Sequence, residues 1–212
     1  MVPRSDPTSD AYDVMARLYA ELFLDNLDGD TNALGWLATF AELAKARPGP
    51  VVDMGCGPGH VADHLTALGL TVVALDRSLG QLHEARQAFP HLSLLIGDLG
   101  RLGVPGQVLG GILSRYSIIH HQPAAHAHRS VFAEWRRVLM PGAPLLLSFF
   151  GSRSATAHGT PFDHKVITAY ELFPVIVAEQ LTDAGFSDIE IGVVPPGEGG
   201  RPLDQATILA RA

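Results

Sequence analysis

Gly55, Gly57 and Gly59 crowd into the stretch VVDMGCGPGH (residues 51–60), directly behind an apolar run. Glycine accepts a positive φ and lets a ligand touch the backbone, so this spacing suits a turn built around a bound molecule. Asp76 stands 21 positions after Gly55, close to the interval of about 20 at which an acid receives ribose hydroxyls in nucleotide-binding sheets. Together they point to a ligand that contains a nucleoside. A dinucleotide fingerprint would read G-x-G-x-x-G, whereas here the pattern is G-x-G-x-G followed by His60. Asp53 is an awkward neighbour for a pyrophosphate and a good one for a cation. No Gly-Lys-Ser/Thr follows the glycines, so a phosphate loop is absent.

Other side chains invite other chemistry. HHQPAAHAHR holds His120, His121, His126 and His128, and HGTPFDHKV adds His158 and His164. His126 and His128 lie two apart on an expected helix and so face different directions. No acid completes a facial triad, so no metal site is expected. Exposed structural positions are expected for His121, His126, His128 and His158. Cys56 lacks an obvious partner base, which a catalytic thiol requires, and is read as packing. As the single cysteine it makes no internal disulfide, which fits a reducing, cytoplasmic compartment.

The elements that must hold these residues alternate between strand and helix, the signature of an α/β parallel sheet. Strands are expected at PVVDM (50–54), LTVVALD (70–76), LSLLIGD (92–98), VLGGILSRYS (108–117) and APLLLSFF (143–150), then DIEIGVV (188–194) and DQATILAR (204–211). A helix carrying Val61, Leu65 and Leu68 ends at Gly69. Ser78 and Gln81 form a capping box for the next, which carries Leu79, Leu82, Ala85 and Phe89. Further helices are expected at 124–139 and 171–184, and two more within 10–46. The result is one doubly wound, mostly parallel seven-stranded domain spanning 10–212. Its parts are an N-terminal helical lid (10–47), a ligand-binding core (48–150), a lid loop (151–170) and a C-terminal helix with strands (171–212). Residues 1–9 are expected to be disordered or vector-derived.

Composition narrows the partners. Of 212 residues 47% are hydrophobic and 17% charged, the net charge is −7, and the 15 Lys and Arg are scattered. That is a globular chain without the clustered positive charge nucleic acid needs. No apolar run approaches the roughly 20 residues of a membrane span. A homodimer stays open.

VVDMGCGPGH, the acid in VALDRS, IGDL, and RRVLMPGAPLLLSF together resemble the class I S-adenosylmethionine-dependent methyltransferases, small-molecule branch, over residues 50–150. Where that family usually has Pro-Gly-Gly, this chain has Pro141-Gly142-Ala143. The resemblance implies a Rossmann-like fold, S-adenosylmethionine as cofactor and methyl transfer by in-line displacement to a small, partly apolar metabolite. It implies that Gly55, Cys56 and Gly57 approach the methionine portion, with Asp53 at its ammonium. Asp76 would hold the ribose and Arg77 flank the adenine. Asp98 would accept from the adenine amino group, Leu99 would offer its N–H, and Ser114 would meet the methionine. Tyr12 and Tyr19 match the YD…Y helix that closes over this portion, where an aromatic face near a sulfonium contributes ~0.5–2 kcal/mol. Tyr116, His120 and His164 are the candidates for orienting the acceptor or removing its proton. No Asn/Asp-Pro-Pro-Tyr/Phe element and no Pro-Cys pair is present; the stretch at the former's place is Ser114-Arg115-Tyr116-Ser117. The alternatives are an NAD(P)-binding oxidoreductase and a non-catalytic cofactor-binding relative.

Overall fold

The computed structural model describes residues 7–24, 27, 31–120, 128–152, 159–196 and 203–212. Helices α1 (Pro7–Phe23) and α2 (Thr31–Lys45) precede the sheet. Then come β1 (Val51–Met54), α3 (His60–Ala67), β2 (Val72–Asp76), α4 (Leu79–Ala88), β3 (Ser93–Ile96) and β4 (Gly111–Arg115). A short 3-10 turn, Ile118–His120, leads towards α5 (Arg129–Val138) and β5 (Pro144–Gly151). The chain finishes with β6 (Thr160–Asp163), β7 (Thr168–Glu171), α6 (Pro174–Asp183), β8 (Ser187–Val194) and β9 (Asp204–Arg211).

Seven strands form one sheet in the order β3-β2-β1-β4-β5-β9-β8. The first five pair in parallel, and β9 runs antiparallel between β5 and β8. The fold is therefore the expected doubly wound, Rossmann-like one. Its central strands are apolar on both faces because helices cover both. Val52, Met54, Ile112, Leu145 and Leu147 pack towards α5 and α6. Val51, Leu113 and Leu146 pack towards α2 and α3. This period-2 division decides which residues at the strand ends face the site. No helix among the described residues is long and apolar enough to cross a membrane.

Several details depart from the sequence reading. Helix α1 starts at Pro7, so residues 7–9 are helical, with Ser9 buried; residues 1–6 lie outside the described residues. Of the two N-terminal helices only α1 covers the site, whereas α2 buries Leu37 and Phe40 in the core. Part of the expected lid loop is a β6–β7 hairpin, paired antiparallel from Thr160↔Glu171 to Asp163↔Thr168. Its strands are four residues each and contain Pro161, a combination that hides a strand from pattern reading. The first turn of α4 turns Leu79 out to solvent, 61% exposed. His128, expected at the surface, is buried: it stacks on Phe132 and bonds Ile118 O at 3.3 Å. His121, His126 and His158 lie outside the described residues. Ala143, the departure from Pro-Gly-Gly, is buried in the core.

Candidate active site

The glycine turn is tied to the end of β2. The N–H groups of Gly55 and Cys56 donate to Leu75 O at 2.8 and 3.0 Å. Gly57 N–H donates to Asp76 Oδ2 at 2.9 Å, and Ser78 N–H to Asp76 Oδ1 at 2.8 Å. One carboxylate thus holds two strand-to-helix turns in register. Gly55 has φ +75°, and a Cβ there would sit 2.5 Å from Ser117 Cβ, so no other residue fits. Burial raises the pKa of Asp76, opposed by the bonds from Ser78, Gly57 and Arg77.

A cavity of about 440 Å³ opens above this turn. Asp76, Arg77, Asp98 and Leu99 line it, with Tyr12 and Tyr19 from α1. Arg77 faces Asp98 at 3.5 Å, and Asp98 also accepts from Gly100 N–H at 2.7 Å. Leu99 is fixed through its carbonyl, which accepts from Trp135 Nε1 at 2.8 Å. Helix α1 is pinned over the cavity by Asp13, whose Oδ1 accepts from Ser78 Oγ at 2.5 Å and Gly80 N–H at 2.8 Å. Gly80 permits this approach, since a Cβ there would meet Ala16 and Asp13 at 3.0 Å. Asp13 carries no sequence signal, because its partners lie some 65 residues away.

A second cavity, of about 370 Å³, adjoins the first. Tyr19, Gly55, Gly57, Arg115 and Tyr116 line both. Asp53, Cys56, His60 and His164 line only the second. Ser114 lines neither: it is buried and bonds Ser117 Oγ. Ser114 shares a face of β4 with Ile112, towards α5, while Arg115 follows Leu113 to the other face. The expected methionine contact on β4 is therefore out of phase by one residue, and Arg115 is the side chain at the cavities. Tyr116 holds φ +54°, a strained conformation for a non-glycine residue. Its hydroxyl donates to Gln205 Oε1 at 2.7 Å, and its ring packs on Phe150 at 4.8 Å.

Tyr12, His120 and His164 come together where the cavities meet. Tyr12 Oη lies 2.8 Å from His120 Nε2, and His120 Nδ1 lies 3.2 Å from Thr168 O. A carbonyl only accepts, so His120 carries its proton on Nδ1 and its Nε2 lone pair accepts from the Tyr12 hydroxyl. His164, buried, sets its ring edge-on to His120 at 5.2 Å. The β6–β7 hairpin supplies both His164 and the Thr168 carbonyl.

Burial sets the electrostatics. Asp53 is pushed up to about 7 by desolvation and by Asp76, against the pull of the Arg115 guanidinium. His60 is pushed down to about 4 by desolvation and by Arg115. Burial also raises the Cys56 thiol well above its ordinary value, so Cys56 stays protonated. Asp53 Oδ2 and both amide atoms of Gln81 are buried without a partner among the described residues. The capping box at Ser78 is thus half-formed: Ser78 Oγ accepts from Gln81 N–H, and the Gln81 side chain turns to the first cavity. Among the described residues no group of three or more His, Cys, Asp or Glu converges on a metal position.

Residues 51–142 match the family model described as "Methyltransferase domain". Over that segment the chain is similar to methyltransferase domains. The chain is 34% identical over 108 residues to a malonyl-[acyl-carrier protein] O-methyltransferase of Yersinia pestis, a match covering 50% of this chain and 39% of that one. It is 26% identical over 156 residues to a demethylmenaquinone methyltransferase of Beutenbergia cavernae, covering 71% and 63%. The matches thus span between 39% and 63% of these relatives' lengths. An S-adenosylmethionine-dependent methyltransferase from Mesorhizobium loti shares the fold, with TM-score 0.68 and 20% identity, over 88% of this chain and 100% of that one.

Proposed function

We propose that the chain transfers a methyl group from S-adenosylmethionine to a small, partly apolar metabolite by in-line displacement, in the cytoplasm. The observation that carries this is a nucleoside-type acid, Asp76, bonded to the glycine turn, beside Asp53 on β1, whose buried Oδ2 has no partner among the described residues. Asp76, already bonded to Gly57 and Ser78, keeps lone pairs for ribose hydroxyls. Asp53 offers Oδ2 to an ammonium, and the Gln81 amide offers a donor and an acceptor. This donor set fits a cationic amino-acid nucleoside better than a pyrophosphate. When bound, S-adenosylmethionine supplies a methyl group made electrophilic by its positively charged sulfur.

The remaining work falls to side chains of this chain. Tyr12 and Tyr19 line the first cavity, where their rings would exclude water from the transferred methyl. His120 is oriented by Thr168 O at Nδ1, which turns its Nε2 to the Tyr12 hydroxyl. An acceptor hydroxyl at this junction gives its proton to the Tyr12 oxygen as the Tyr12 proton passes to His120 Nε2, while an acceptor ammonium gives up a proton the same way before its lone pair is free to attack. Positioning accounts for the rest of the acceleration. Incubation with S-adenosylmethionine and a metabolite pool tests the reading: steady release of S-adenosylhomocysteine supports it, and silence across a broad pool favours a non-catalytic cofactor binder.

Two consequences concern cofactor binding. An ammonium beside Asp53 favours the carboxylate, and Asp53 is half protonated near pH 7 in the free protein. Binding therefore releases protons below pH 7, and affinity falls as the pH drops, by up to about tenfold per unit. Calorimetry of S-adenosylhomocysteine binding in buffers of different ionisation enthalpy measures this release; a pH-independent affinity between 5.5 and 7.5 would remove Asp53 from the ammonium. Gln81→Leu removes two partnerless buried atoms, so the free protein is expected to melt no lower. Its affinity for S-adenosylhomocysteine is expected to fall about fivefold, the loss of about 1 kcal/mol from one hydrogen bond. Unchanged affinity would mean the amide does not reach the ligand.

A further inference from the structure

We propose that Asp13 is a positioning residue for the reaction: by latching α1 to the turn after β2, it holds the Tyr12 hydroxyl against His120 Nε2. This rests on the methyltransferase reading and adds a residue that lines neither cavity. Tyr12 reaches the site from a helix held by little apolar packing. Of the residues of α1, Ser9, Ala16 and Ala20 are buried, whereas Val14, Leu18 and Leu22 are exposed. A buried alanine methyl contributes far less than a leucine or phenylalanine side chain, so apolar burial sets the register of α1 weakly. Polar contacts set it instead. Ser9 Oγ donates to Arg77 O at 3.1 Å. One turn later, Asp13 Oδ1 accepts from Ser78 Oγ at 2.5 Å and from Gly80 N–H at 2.8 Å. Both latches grip residues 77–80, directly after Asp76, and Tyr12 lies between them in sequence.

Helix α4 does not need the latch for itself. Ser78 Oγ caps that helix by accepting from Gln81 N–H at 3.0 Å, and the bond from Gly80 N–H lies at the exposed surface, where water can replace the carboxylate. What depends on Asp13 is where α1 lies. A Cβ on Gly80 would meet Ala16 Cβ and the backbone of Asp13 at 3.0 Å, so the two helices touch closely at the latch. Tyr12 Oη stands 2.8 Å from His120 Nε2, and a slide of α1 by about 1 Å breaks that contact. The same serine continues to the nucleoside acid, since Ser78 N–H donates to Asp76 Oδ1. The proton-accepting pair and Asp76 are thus registered on one residue.

The test uses the full chain. In the free protein, long-range proton–nitrogen spectra report the imidazole nitrogens, with His120 assigned by the signal lost in His120→Ala. Asp13→Ala is expected to move the His120 Nε2 resonance in the same direction as Tyr12→Phe does. Asp13→Asn, which keeps an acceptor for Ser78 and Gly80, leaves it near its wild-type position. Turnover is followed as S-adenosylhomocysteine release with the metabolite pool. Asp13→Ala is expected to lower it by about tenfold, the cost of a misplaced group, and Asp13→Asn to recover most of the loss. Added to Tyr12→Phe, Asp13→Ala costs less than about twofold more, because the contact it serves is already gone. If Asp13→Ala melts early, Gly80→Ala, which pushes α1 off the latch and leaves the Ser78 cap in place, serves in both measurements. An unmoved Nε2 resonance, or an equal loss of turnover with and without the Tyr12 hydroxyl, overturns the proposal and leaves the methyltransferase reading standing. Silence from the wild-type chain overturns that reading and this role with it, and the spectra tell that failure apart from a failure of the latch.

Discussion

With alanine in place of His120, turnover is expected to fall by about 10²- to 10⁴-fold, the contribution of a positioned acid–base group. The imidazole is held from one side by Thr168 O and from the other by the Tyr12 hydroxyl, so its removal deletes the proton acceptor and one partner of Tyr12. The loss should appear in kcat, with S-adenosylhomocysteine affinity within about twofold; His120 lines the first cavity beside Tyr12. Tyr12→Phe keeps the ring over the site and deletes only the hydroxyl, so it should lie between wild type and His120→Ala. The checking measurement is steady-state kinetics from pH 6 to 9 on the acceptor drawn from the metabolite pool. Wild-type rates in both variants would mean that the acceptor loses its proton elsewhere or brings none to lose.

The second large effect is expected at Asp76. Asp76→Ala should weaken S-adenosylhomocysteine binding by about 1–3 kcal/mol, or roughly 5- to 150-fold, through loss of a buried charged acceptor. It should also lower the melting temperature, because the N–H groups of Gly57 and Ser78 lose their partner. Asp76→Asn keeps one acceptor oxygen and should recover part of the stability but little of the affinity. Calorimetry and thermal unfolding on the three proteins check both. Unchanged affinity in Asp76→Ala would remove this residue from the nucleoside site.

How far such effects could be foreseen from the sequence depends on how local their causes are. The glycine turn, Asp76 and the Ser78 cap were legible because strand, turn and helix are contiguous there, and because period-2 and 3.6 patterns mark each element. The count of seven strands in one mostly parallel sheet followed from the same alternation, whereas their order did not. Arg115 was missed and Ser114 chosen in its place, since the strand end was legible but not its phase. One residue of slip on a strand sends a side chain to the opposite face. Asp13 was invisible because its role as a cap for α4 exists only once α1 lies across that helix. The hairpin that fixes His120 was hidden by its short strands and Pro161. His128 looked like a surface residue until its bond to Ile118 O and its packing on Phe132 buried it.

A ring of aromatic and imidazole groups around a sulfur-bearing nucleoside is the picture on which all these expectations depend. Its most direct test is a calorimetric titration of the wild-type chain with S-adenosylhomocysteine and, in parallel, with NADH. Saturable binding of the first, with proton release below pH 7 and no heat from the second, is the expected outcome. Saturable binding of NADH with none of S-adenosylhomocysteine would contradict it.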